Sequence, residues 1–199
     1  MGFFKLFRRT KAVKASKDVG GSKKEQQCVN ASETMCESQA SMYSVRIGNK
    51  EIIEAYMAAK NRHAPVEELL SYYTSEDAKA NFDDHGSMTA CQLVLEIRKL
   101  YEGFENILFT YESIEEVRPG EVLVEHLVVT GTHTADLRVM DFPVIPATNR
   151  HVVLDPERLW FTLKDGKIHR MEVTALGNLT GPPGLYVSVG GKLEMPKEN

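Results

Sequence analysis

Apolar residues recur along this chain with two different periods, and the change from one to the other falls near residue 105. Upstream the spacing is helical. In "NKEIIEAYMAAKNRH" (49–63), Ile53, Tyr56, Met57 and Lys60 fall on one side of a 3.6-residue repeat. Asn49 is the expected N-cap, with Glu51 in the first turn where the helix dipole favours an acid. Pro65 suits the first turn of a second helix, in which Val66, Leu69, Leu70 and Tyr73 follow at i, i+3, i+4 and i+7. A third helix is predicted through "SMTACQLVLEIRKLYEGF" (87–104). Ser87 is its expected cap, Leu93, Ile97, Leu100 and Phe104 its buried stripe, and Gly103 its terminator.

After residue 105 the period becomes 2. "ILFTYESIEEV" alternates and meets the turn signal Pro119-Gly120. "EVLVEHLVVTGTHT" (121–134) is the longest predicted strand. "RLWFTLK" runs into Asp165-Gly166, a strong two-residue hairpin signal, and returns as "KIHRMEV". Helices followed by a meander of strands predict an α+β fold: three N-terminal helices packed in a curved antiparallel β-sheet, a cone or α+β barrel. Such a cone encloses a hollow lined by alternating residues, a natural ligand site.

Composition divides the chain in two. Of its 199 residues, the first 24 hold eight Lys/Arg against Asp18 alone, whereas the whole chain has a net charge of −4. A basic arm and linker is therefore expected over 1–45, and a folded domain over 46–195. The acidic body argues against nucleic acid as a partner. "MGFFKLFRR" sets aromatics beside cations, and three readings of the arm are open: peripheral membrane contact through residues 1–24, organelle targeting, or a solvated tail. Cys28, Cys36 and Cys91 form no metal or disulfide pattern and read as free thiols of an intracellular, most simply cytoplasmic, protein.

Three strings bear on the fold family: "VVTGTHTADL" (128–137), "FPVIPATNRHV" (142–152) and "LKDGKIHRMEV" (163–173). In this order, behind three helices, residues 48–193 resemble the SnoaL-like polyketide cyclases of the nuclear transport factor 2-like superfamily. The resemblance implies a cone-shaped fold, a pocket-facing histidine at His133 and a homodimer. The family's acid/base aspartate and a tryptophan fall at positions that here hold Leu176 and Glu172.

The expected chemistry follows. His133, between Thr132 and Thr134, is the first candidate acid/base, as a neutral imidazole near its working pKa; the competing reading is a satisfied strand end. Glu172 is the second, if it points into an apolar hollow; as a solvent-facing residue it would pair with Arg170 or Lys164 instead. Tyr56, Tyr111, Thr132, His151 and Trp160 are candidates for contact with substrate. Asp83, Asp84 and His85 in "NFDDHGS" are too closely spaced to share one metal ion, and neither metal nor cofactor is expected. The predicted function is binding of a small hydrophobic carbonyl compound, with isomerisation or cyclisation through an enol or enolate. The alternative is a non-catalytic dimerisation or scaffold module held by its basic arm.

Overall fold

The structure is a computed structural model and describes residues 47–83 and 86–193. The expected basic arm, with Cys28 and Cys36, lies outside the described residues, as do Asp84 and His85. Helix α1 spans Asn49–Asn61 and buries Ile53, Tyr56, Met57, Ala59 and Lys60. Its cap is Gly48, not Asn49, whose side-chain amide donates to Glu116 Oε1 at 2.8 Å. Helix α2 is short, Val66–Ser71. Tyr73 lies beyond it and bridges to Ile168.

A hairpin that the periodicity did not reveal precedes the third helix: β1, Lys79–Phe82, and β2, Gly86–Thr89. Ser87 belongs to it, opposite Asn81, so the cap of α3 (Ala90–Gly103) is Thr89. Thr89 Oγ1 accepts from the Gln92 amide (3.2 Å) while Gln92 Oε1 accepts from the Thr89 amide (2.9 Å). This reciprocal box satisfies two otherwise orphaned N–H groups, which a cap at Ser87 would leave open. The inner face of α3 is Val94, Ile97, Leu100, Tyr101 and then Phe104, with Leu93 only half-buried beside it.

The strands then follow as β3 (Leu108–Thr110), β4 (Ser113–Arg118), β5 (Glu121–Thr132), β6 (His151–Val153), β7 (Glu157–Lys164) and β8 (Lys167–Ala175). The sheet runs β2-β1-β8-β7-β5-β3, with β4 and β6 also paired to β5. Every pairing is antiparallel except β1 with β8, which is parallel. The first half of β5 lies between β4 and β7, its last residues between β3 and β6. Between these halves the register with β7 shifts from Val124–Leu159 to Leu127–Glu157, and His126 adopts φ +50°. This bulge moves the inward set from Val122 and Val124 to Leu127, Val129 and Gly131. At Gly131 a Cβ would stand 3.2 Å from Ile107 Cα and from Phe104 Cδ1, so a side chain there would require its neighbours to give by a few tenths of an ångström.

A fourth helix, α4 (Gly181–Ser188), carries Pro182 and Pro183 in its first turn. The segment before it is tied down by Asp155, whose Oδ2 accepts the amides of Asn178 (2.8 Å) and Leu179 (2.9 Å). No helix among the described residues is long and apolar enough to cross a membrane. Thr89→Ala removes one arm of the capping box and is expected to cost about 1 kcal/mol. In urea titrations the midpoint should fall with an unchanged m-value; an unchanged midpoint would show that the cap contributes nothing.

Candidate functional site

The helices and the inner sheet face do not meet everywhere. Between α1, α3, α4 and strands β5, β7 and β8 remains a cavity of about 280 Å³. Most of its wall is apolar: Leu93, Ile97, Leu100, Phe109, Leu127, Val129, Leu159, Met171, Val173 and Leu185 among others. Met171, Val173 and Ala175 form its β8 side, the inward phase of that strand. Thr180, Gly181, Pro182 and Pro183 close one side from α4.

Four acidic or basic side chains stand in this wall. Asp83 is engaged by Thr174 and the Ala175 amide, and Glu96 by Lys99 and the Met140 amide; Lys60 and Glu157 are the two whose protonation the surroundings shift. Lys60, in the last turn of α1, is 6% exposed. Its Nζ lies 4.0 Å from the centroid of the Phe109 ring and 5.7 Å from that of Tyr56. Among the described residues no carboxylate comes within ion-pair distance of this amine. Burial pulls its pKa down to about 8, with the more distant charge of Glu157 resisting. Glu157 opens β7 in phase with Leu159, Phe161 and Leu163, opposite Leu127 and Ala175. Burial pushes its carboxyl up to about 7, and the Lys60 charge and the Gly181 amide hold it from rising further. Both groups thus exchange protons near neutrality, where acid–base chemistry is efficient.

The helical frame around Lys60 is fixed. Its carbonyl accepts from the Tyr101 hydroxyl at 2.9 Å. The next residue, Asn61, brackets the Phe109 backbone, donating to its carbonyl (3.0 Å) and accepting from its amide (2.7 Å). Tyr56 also lines the cavity, and its hydroxyl shares a 2.8 Å hydrogen bond with that of Tyr73. Burial raises both phenols well above their ordinary range, so both stay protonated.

Of the seven residues expected from the sequence to act on or touch a substrate, Tyr56 lines this cavity and the other six do not; Asp83, considered there only as a metal ligand, also lines it. His133 is fully buried and does not line the cavity. Its ring packs on Phe104 with centroids 5.2 Å apart. Nδ1 accepts from the Thr148 amide (3.3 Å) and lies 3.0 Å from Thr148 Oγ1, while Nε2 has no partner. The string 142–152 therefore folds back to seat this imidazole. Glu172 is exposed and ion-paired to Arg170 at 2.7 Å, as its solvent-facing reading required. Trp160 and Glu172 are cross-strand neighbours outside the cone, with Arg118 5.9 Å from the indole. Thr132 Oγ1 and His151 Nδ1 lie 3.4 Å apart at the outer surface, and Tyr111 is 38% exposed. Lys60 and Glu157 went unselected, though each had a signal: a charge in phase with an apolar face.

No protein-family model and no curated protein matches this sequence. Solved structures do. A candidate hydroxylase of Streptomyces galilaeus superimposes with a TM-score of 0.56 at 20% identity, over 75% of this chain and 85% of its own. A candidate polyketide cyclase of Xanthomonas campestris gives 0.54 at 16% identity, over 71% and 96%. A candidate SnoaL-like polyketide cyclase of Jannaschia gives 0.51 at 18%, over 64% and 86%. The domain has the α+β cone of the SnoaL-like proteins, as the three sequence strings implied.

His133 supplies a test of its burial. Desolvation holds its pKa below the ordinary 6.5. The unfolded chain therefore takes up a proton before the folded one does, and stability falls as pH drops below about 6.5. His133→Gln should lower the stability at neutral pH by about 1–3 kcal/mol and make this acid slope shallower. A parallel slope in the variant would show that His133 is not responsible.

Proposed function

We propose that the cavity binds a small, largely apolar compound bearing a carbonyl group, and that Lys60 engages this carbonyl while Glu157 moves a proton at the adjacent carbon. The reaction class is isomerisation or ring closure through an enol or enolate. One observation carries the reading: an amine and a carboxyl group, both shifted toward neutrality and out of contact with each other, face one largely apolar hollow. A purely structural pair would be in contact, because separated buried charges cost more than they return. An apolar wall suits a hydrocarbon skeleton, and a basic group opposite a positive one suits a carbon acid whose charge develops on oxygen. That several proteins with this fold carry the name polyketide cyclase agrees with a carbonyl ligand. In this reading the acid/base role falls to Glu157 rather than to His133 or Glu172, neither of which reaches the cavity.

The α-protons of 2-tetralone, a bicyclic ketone of suitable size, report enolisation directly by NMR in D2O. The protein should accelerate exchange above buffer, with a rate that rises through pH about 7 as Glu157 ionises. Glu157→Gln should slow it by roughly 10²-fold and remove that rise. Exchange at the buffer rate, with no thermal shift by the ketone, would overturn the proposal; a thermal shift without exchange would leave a carrier.

A further inference from the structure

We infer that Lys60 engages its carbonyl ligand covalently, as an imine-forming amine. The inference rests on the reading of the cavity as a carbonyl site and specifies what Lys60 does there. Three features of its surroundings favour condensation over a simple ionic contact. The amine has no carboxylate within ion-pair distance among the described residues, so no contact ion pair holds it in the protonated, non-nucleophilic form. It stands over the Phe109 ring, on a largely apolar wall. A second proton-exchanging group, Glu157, faces the same hollow. Burial adds to these: with the amine near 8 instead of 10.5, its neutral fraction at pH 7 exceeds that of a surface lysine on the order of 10²-fold.

The step balances with the groups present. The neutral Nζ attacks the carbonyl carbon, and the proton it sheds passes to the oxygen, giving a carbinolamine. Glu157, as the acid, protonates the hydroxyl; water leaves and the C=N bond forms. The resulting iminium acidifies the neighbouring C–H, whose proton the Glu157 carboxylate accepts to give an enamine. Reprotonation and addition of water reverse the sequence, releasing the ketone and the free amine. No redox partner is consumed.

Trapping tests this on the full chain with 2-tetralone and sodium cyanoborohydride at pH 7. One reduced adduct is expected by intact mass, mapping to Lys60 by peptide analysis, while surface lysines react on the order of 10²-fold less. Lys60→Arg keeps a positive charge but cannot condense. It should lose both the adduct and the accelerated exchange, and in the parent protein exchange should keep rising through pH about 8 as Lys60 deprotonates. Exchange retained by Lys60→Arg, or a parent rate that falls through pH 8 with no trapped adduct, would overturn the imine and leave the carbonyl-site reading standing. Loss of exchange in Glu157→Gln with an adduct still trapped on Lys60, formed more slowly than in the parent, would support the imine and Glu157's part in both its formation and the proton transfer. If the ketone neither shifts the melting temperature nor exchanges, the carbonyl-site reading itself fails.

Discussion

One strand has to serve two walls, and the extra residue at the middle of β5 is what permits it. A strand of strict alternation presents one set of side chains inward along its whole length. Here Val122 and Val124 face the helices in the first half, and Leu127, Val129 and Gly131 do so in the second. The shift at His126 lets β5 pair first with β4 and β7, then with β3 and β6. Without it, Val128, Thr130 and Thr132 would face the core, two of them hydroxyls without partners. The same shift sets Glu157 opposite Leu127, and so inside the cone. The cavity, its acid and the close passage at Gly131 all follow from that bulge.

The cavity groups are held against their own solvation. Burying an amine or a carboxylate is costly, and a chain relieves this by letting the group approach its neutral form. Lys60 and Glu157 both move in that direction, toward each other on the pH scale. Direct contact would have separated them again, stabilising both charges and removing both from acid–base work. The spacing is thus a compromise in which some stability is given up for two groups that gain and lose protons readily.

Much of the architecture was legible. Long amphipathic runs gave α1 and α3, and the Asp165-Gly166 turn placed β7 against β8. Elements whose order comes from tertiary contact were not. The hairpin β1–β2 is four residues a side and depends on β8, and α4 begins with glycine and two prolines, which read locally as breakers. Ser87 looked like a cap because it preceded the apolar stripe, yet the Thr89–Gln92 reciprocity two residues on decided the boundary. At the site, Tyr56 was found through its place on a helical stripe. Lys60 shared that stripe, but a lysine among apolar residues usually carries its charge out to water along its flexible stem. His133 was chosen for its chemistry and its resemblance; its actual partner, Thr148, comes from a loop that no periodicity connects to it.

The anchoring of the α1 terminus has a consequence for ligand choice. Tyr101 holds the carbonyl of Lys60, and Asn61 brackets Phe109, so the amine projects from a fixed post rather than from a pliant loop. The far side of the hollow is likewise set, by α4 and its ties to Asp155. On the proposed imine reading, a compound fastened at Lys60 would have to fit the remaining depth, which would make the protein a gauge of chain length. One methylene too many or too few changes discrimination by about 1–3 kcal/mol in such a slot, so on that reading homologues differing by a single carbon would be sorted by size alone.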